Sequence, residues 1–303
     1  MRAEERKREK ENKEKKTKKE NKEKKQRERK ETKKMKTEEL MERIHMPEEA
    51  RELACRKQIS EEEYGIWKER FYQDIRQFIE VWKKTENRYV WALEFYLKLA
   101  VDAYEEYRRR GYADQIFDQT FYDITIWCEE CRRKHGVYGL EELWWLGQSV
   151  KLKLFRLGRL QFEPILLEHD MKGRERTVKA GTKVLNVHIP SGEPLRMEAC
   201  KDSFEKAEDF FGEEYQVYVC DSWLLSPHLK EILPDTSNII RFQNLFEVTR
   251  VGYEYPQAEQ RIFEETLEDK SQYPEDTFLR KKAKAYVLSG KDLGIGEGFF
   301  YRR

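Results

Sequence analysis

The residues best equipped for chemistry lie in two short stretches. Tyr215 to Phe242 reads YQVYVCDSWLLSPHLKEILPDTSNIIRF. Its β-prone opening, Gln216 to Val219, runs into Cys220-Asp221-Ser222, which puts a thiol, a carboxyl and a hydroxyl at a predicted strand end. Asp221 and Ser222 are also helix-capping types. Leu224, Leu225, Leu229 and Ile232 follow at helical spacing as far as Pro234. A second strand is expected near Ile239 and Ile240, so Ser237, Asn238 and Arg241 would border the same edge. Units that pass from strand to helix to strand place ligands at the carboxyl ends of their strands. The plain alternative for each residue alone is a core thiol for Cys220 and a cap for Asp221 or Ser222.

The other stretch is KVLNVHI, Lys183 to Ile189, with the loop Pro190-Ser191-Gly192-Glu193-Pro194 behind it. A loop from a strand into a helix N-terminus gathers anions, because free amides and the helix dipole point there. Ser191 and Gly192 allow close backbone approach, and Arg196 can pair with phosphate. The Lys-Ser/Thr of a nucleoside-triphosphate loop is missing, which argues against phosphoryl transfer and leaves room for a nucleotide-tailed carrier such as coenzyme A. A plain surface turn is the alternative. His188, inside the strand, is either a general base near neutral pH or a buried, hydrogen-bonded histidine. A nucleophilic pair of Cys220 with His188 requires their strands to be neighbours. Two further motifs are set aside. Cys128 and Cys131 form a CxxC in mid-helix on an apolar face, with no second pair, and no metal site is expected. The GIGEG near the end, around Gly294 to Gly298, has no helix behind it to bind phosphate.

The elements that must position these groups follow from periodicity. The chain has 303 residues, 39% charged and 13% aromatic, with a net charge of +1. That near-balance hides a basic tail, residues 1–36, on an acidic body. The tail is almost free of apolar residues and is expected to be disordered or a solvated helix. Weak nucleic-acid contacts of the tail are the only ones anticipated. Residues 37–153 read as helices: a capping box at Ser60 to Glu63, one helix from Tyr64 to Trp82, and further helices over Tyr89 to Tyr107, Ile116 to Arg133 and Leu140 to Val150. Residues 154–303 read as a mixed α/β sheet, with a strand at Leu160 to Leu167 that Pro164 makes an edge or a bend, a turn at Met171-Lys172-Gly173 and a helix from Met197 to Phe211. Five cysteines without framework spacing suggest a reducing, cytoplasmic setting, and no apolar run reaches membrane-spanning length.

Several strings carry a family likeness. Ile116-Phe117-Asp118-Gln119-Thr120-Phe121-Tyr122-Asp123-Ile124, Trp127-Cys128, Gly136 to Leu140 and Leu154 to Phe162 resemble the N-terminal helical domain of bacterial, mostly Firmicutes, N-acyltransferases. Val187 to Leu195, Asp202-Ser203-Phe204, Cys220 to Pro227 and Ser237 to Phe242 are similar to the GNAT-like C-terminal domain that accompanies it. The likeness spans roughly residues 50–255.

This resemblance implies an N-terminal helical subdomain followed by a GNAT-like mixed sheet, with acetyl-CoA or another acyl-CoA as donor. Pantetheine would lie along Lys183 to Ile189, and Ile189, Ser191, Gly192 and Arg196 would hold the pyrophosphate. The usual Gln/Arg-x-x-Gly-x-Gly/Ala loop is replaced by Pro190-Ser191-Gly192-Glu193-Pro194. His188 or Glu163 would take the proton of a small-molecule or peptide amine, and Ser222 or Cys220 would protonate the leaving thiolate. Arg159, Asn238 and Arg241 are the candidates for contacting the acceptor. The alternative is a non-catalytic GNAT-like module that binds a ligand or partner.

Overall fold

The structure is a computed structural model that describes residues 35–56 and 59–302. The charged tail lies almost wholly outside them, and Met35, the first described residue, is buried. Seven helices come first: α1 (Thr37–Arg43), α2 (Glu48–Ala54), α3 (Glu61–Gln73), α4 (Ile75–Trp82), α5 (Arg88–Arg109), α6 (Asp114–His135) and α7 (Leu143–Val150). The Ser60 box forms as expected, with Ser60 Oγ accepting from the Glu63 amide. The single helix expected over Tyr64 to Trp82 is instead two. Asp74 takes an extended conformation and its carboxylate accepts from the amides of Arg76 and Gln77, so a residue that prefers capping breaks the helix. An aromatic core fills the bundle, with Phe78 stacked on Phe95 at 5.2 Å and Phe71 edge-on to both.

The strands follow: β1 (Phe155–Leu157), β2 (Leu160–Leu166), β3 (Met171–Lys172), β4 (Thr177–Val178), β5 (Lys183–His188), β6 (Val217–Ser222), β7 (Glu247–Gly252) and β8 (Ile295–Tyr301). Between them lie α8 (Met197–Phe211), α9 (Leu229–Ile232), α10 (Asn238–Gln243), α11 (Gln257–Phe263) and α12 (Phe278–Leu288). Six strands form one mixed sheet in the order β1-β2-β5-β6-β8-β7, and β3 and β4 pair separately. Met171-Lys172, expected as a turn, is therefore a short strand. Pro164 lies inside β2 opposite Leu185, and β1 has already ended at the Phe155–Phe162 pair. The proline stands where one side of β2 has no partner strand, so its missing N–H breaks no ladder.

The region after β6 departs most from expectation. Ile239 and Ile240 sit in helix α10, not in a strand, because Ser237 accepts from the Ile239 amide and starts a helical turn. The expected helix from Leu224 to Ile232 is a 3₁₀ turn, Trp223–Leu225, followed by the separate α9. Pro227 lies between the two pieces, and a proline disfavours helical geometry in the residue before it. The strand comes later, as β7.

Residues alternate across the sheet. Phe162, Leu185, Val187, Tyr218 and Cys220 pack with α8 on one face. Gln161, Glu163, Asn186 and His188, at the intervening positions, face the other way, toward the helical bundle. In β8 the GIGEG glycines answer a steric need. A Cβ at Gly296 would run into the carbonyl of Leu225, and one at Gly298 would meet the Glu247 carbonyl oxygen at 2.9 Å. Gly296→Ala is expected to destabilise the protein by about 1–3 kcal/mol through overpacking. An unchanged urea midpoint would show that the Leu225 turn yields freely.

Candidate active site

β5 and β6 run parallel but pair at only two positions, Leu185 with Tyr218 and Asn186 with Val219. Beyond these the strands part, and their carboxyl ends, Val187-His188-Ile189 and Asp221-Ser222, line a cavity of about 290 Å³. The helical bundle roofs it with Asp123 and Trp127 from α6 and Trp145 from α7, and Trp223, Gln257 and Arg261 close the far side. Gln257 Oε1 accepts from the Trp223 amide at 2.8 Å and fixes the turn that forms that wall. Arg261 lies over the Trp127 ring at 5.7 Å.

His188 stands at the centre. Its Nε2 lies 3.1 Å from Glu163 Oε2, and the Asn186 amide donates to the same oxygen at 3.3 Å. Burial would raise the Glu163 carboxyl, but the hydrogen bond and charge of His188, with the Asn186 amide, hold it below the usual glutamate range. In the neutral imidazole, an Nε2–H directed at the carboxylate leaves the lone pair on Nδ1. Trp145 packs edge-on to the imidazole at 4.8 Å. The Trp145 indole donates to Asp123 Oδ2 at 2.7 Å. Asp123 is 2% exposed, and burial pushes its carboxyl above the usual range against the pull of Gln161, Trp145 and Trp127. Gln161, 1% exposed, sits beside His188 in the register, and its side-chain amide lies near enough to Asp123 to pull that carboxyl down, without reaching good hydrogen-bond geometry.

Strand alternation separates Cys220 from His188. Asn186 aligns with Val219, so Cys220 falls on the face of Val187 and packs against α8. It is 1% exposed, and burial drives its thiol well above the ordinary value. The expected Cys220–His188 pair is thus absent. Ser222 does reach the cavity, where its Oγ accepts from the Leu224 amide at 3.2 Å.

The loop after β5 is held from below. Arg159, buried and placed by the β1–β2 turn, donates to the carbonyls of Pro190 (2.8 Å), Glu193 (2.7 Å) and Pro194 (3.2 Å). Arg156 Nη2 reaches Glu193 Oε1 at 2.8 Å. Arg159, expected to contact an acceptor, therefore shapes the loop. Ile189 and Ser191 line the cavity. Gly192 takes φ +99° with open space around it, and Arg196 is exposed at the start of α8. Among the described residues the Ser191 and Gly192 amides donate to no backbone acceptor. Asn238 and Arg241 are exposed on α10 and do not line this cavity, because that segment is helical.

Asp123, Gln161 and Trp145 were not singled out as site residues from the sequence. One signal was present. Thr120, Asp123 and Trp127 form a second stripe on α6 at helical spacing, beside the apolar stripe of Phe117, Phe121, Ile124 and Cys128. Among the described residues no three His, Cys, Asp or Glu side chains gather as a metal site, and no helix is long and apolar enough to cross a membrane.

Residues 35–152 match the family described as the N-acyltransferase N-terminal domain, and residues 154–300 the one described as the GNAT-like C-terminal domain. No curated protein matches the chain. Among solved structures, an acyltransferase in complex with decanoyl-CoA and teicoplanin is similar, at 22% identity and TM-score 0.71, over 88% of this chain and 87% of that one. An acyltransferase mutant with octanoyl-CoA is similar at 21% identity and TM-score 0.72, over 88% of both chains. An acyltransferase with decanoyl-CoA alone is similar at 20% identity and TM-score 0.72, again over 88% of both. At such identities the structural likeness speaks to the fold, whereas the two sequence families between them span residues 35–300. The chain belongs to the N-acyltransferases that join an N-acyltransferase N-terminal domain to a GNAT-like C-terminal domain.

Proposed function

We propose that this protein transfers an acyl group from an acyl-CoA, acetyl-CoA or a longer ester, to the amine of a small molecule or peptide. The observation that carries the reading is the split between β5 and β6, with the carboxylate-backed His188 on one lip and Ser222 on the other. The donor fits the residues present. An extended pantetheine-like chain can add to the free edge of β5 beyond Asn186, and its pyrophosphate can take the unpartnered amides of Ser191 and Gly192. Arg196 stands ready at the mouth.

The chemistry is direct transfer. The acceptor nitrogen attacks the thioester carbonyl, a C–N bond forms and the C–S bond breaks. His188 Nδ1 takes the proton the amine sheds, while Glu163 stabilises the imidazolium and fixes its ring. Main-chain amides at the parted strands polarise the carbonyl. The Ser222 hydroxyl, which accepts from the Leu224 amide, gives its proton to the leaving thiolate and is reprotonated through solvent by the proton that His188 took, so both groups return to their starting state. Cys220 has no part in this, because its thiol is sealed against α8. The acceptor enters on the His188 face, past Asp123, Gln161 and the tryptophans. Two of the similar structures hold teicoplanin or a derivative of it, which supports an acceptor that carries its amine on a larger molecule. The five free cysteines fit work in the cytoplasm.

Three outcomes test this. Acyl-CoA esters at about 100 times their dissociation constant should stabilise the fold by about 2.7 kcal/mol, read as a melting shift. A cooperative melt that no ester moves would leave a non-catalytic binding module in its place. His188→Ala should lower thiol release in the presence of an accepted amine by about 10²–10⁴-fold, with donor binding unchanged. A variant with full turnover would remove His188 as the base. The depressed Glu163 carboxyl contributes stability that is present above its unfolded value and is lost as pH falls through its lower folded value. The stability advantage over Glu163→Gln should therefore hold at neutral pH and vanish in acid. A gap that does not change with pH would contradict the pairing with His188.

A further inference from the structure

A second cavity, of about 430 Å³, lies on the far side of the Pro190 to Pro194 loop, where α1 and α6 meet the β1–β2 turn. Its walls include Arg43, His45, Asp118, Tyr122, Arg156 and Glu193. Two guanidinium groups here are incompletely answered. Arg156 is 3% exposed. Its Nε donates to the Gly158 carbonyl at 3.1 Å and its Nη2 to Glu193 at 2.8 Å, but Nη1 is buried with no partner. Arg43 Nε donates to Asp118 at 2.7 Å and its guanidinium lies over the Tyr104 ring at 4.9 Å, while its Nη2 is buried outside good hydrogen-bond geometry, 3.8 Å from the Asp114 carboxylate. An arginine cannot shed its charge, so a buried guanidinium N–H without an acceptor is costly. Both residues line one cavity.

We infer that this cavity is a second anion site, taking a phosphate-type oxyanion on Arg156 and Arg43, separate from the cleft that holds His188. A tetrahedral oxyanion offers several acceptors at once and matches the guanidinium edge that Glu193 now holds. The partner it must displace is weakly held, since the Glu193 side chain is more than half exposed. Occupation thus exchanges Glu193 for the anion on Arg156. Glu193 belongs to the loop that carries Ser191 and Gly192, and Arg159 still grips that loop by its carbonyls. Anion binding then loosens one of the loop's two tethers and is coupled to whatever the loop binds, with the same factor in both directions. The site itself stands whether or not the donor is an acyl-CoA. Only the coupling rests on the proposed function.

The test is titration of the full chain with inorganic phosphate at constant ionic strength, followed by calorimetry and melting, with acetate as a control. Saturable binding is expected. It should weaken about tenfold or more in Arg43→Gln, as for the loss of a charge-assisted hydrogen bond, and tighten severalfold in Glu193→Gln, which removes the competing carboxylate from a surface position. Coenzyme A and its 3′-dephospho form then separate two sources of the oxyanion. Displacement of phosphate by the first alone would assign the site to the donor's own 3′-phosphate. Displacement by neither would assign it to an independent phosphorylated ligand. No saturable binding, or binding that is equal in wild type and both variants, would overturn the inference. Glu193→Gln keeps the test open should Arg43→Gln fail to melt cooperatively.

Discussion

β5 and β6 share a ladder at two positions and then separate, and most of the functional architecture depends on that separation. Parallel strands that part leave main-chain amides and carbonyls without partners, which a buried sheet does not tolerate unless something else meets them. Here the parted ends open onto a cavity instead of closing into a core. The surrounding elements keep it open. α8 seals one face with Phe204 and Cys200, the Leu225 turn is pressed against Gly296, and the helical bundle supplies Trp145 and Asp123 where a second sheet-covering helix would otherwise pack. The bundle therefore completes the site as well as covering it.

The register shows how the site's polarity is arranged. Gln161 pairs with His188. Two residues beyond the Asn186–Val219 pair, the same row would meet Asp221, which pairs with Glu297, which in turn pairs with Arg250. One row of polar side chains thus crosses the sheet and is interrupted at the split. On the outer half Glu297 is neutralised by His169 at 2.9 Å and by Arg250 at 3.1 Å. On the inner half Glu163 meets His188 at 3.1 Å and the Asn186 amide at 3.3 Å. With one ring nitrogen held by Glu163, the imidazole keeps its second nitrogen for another partner, an arrangement that can pass a proton.

What the sequence disclosed, and what it did not, follows from the range of the interactions. Local signals were reliable: the Ser60 box, the long helices α5 and α6, strand β5 and the loop behind it all form where periodicity and capping place them. His188 and Glu163 were both candidates from the sequence, and the structure places them in contact. The failures share a cause. Ile239 and Ile240 are β-branched, and their propensity favours a strand, but the cap at Ser237 and burial of Ile240 beside Leu229 decide for a helix. The Cys220–His188 pair failed on parity, which depends on register and so on a strand partner no local pattern reveals. Asp123 and Gln161 were missed because each looks like an ordinary polar residue until the bundle folds down onto the sheet.

That docking seam concentrates polar groups that a purely structural interface would avoid. Asp123, Gln161, Arg156 and Arg159 are all buried along it, and Arg156 Nη1 lacks a partner. An unmet buried polar group costs roughly 1–3 kcal/mol, so apolar residues at these positions would hold the two halves together more firmly. The arrangement is better explained by demands other than cohesion. Arg159 gives the loop a shape that its proline- and glycine-containing sequence does not impose, by meeting three carbonyls at once. Asp123 orients Trp145, and Trp145 in turn limits how the His188 ring can turn. Each of these residues either holds a neighbour of the cavity in place or lines a cavity itself. Stability given up along the seam is the expected consequence of building a site between two domains, since the polar groups that serve a ligand there must remain incompletely satisfied until it arrives.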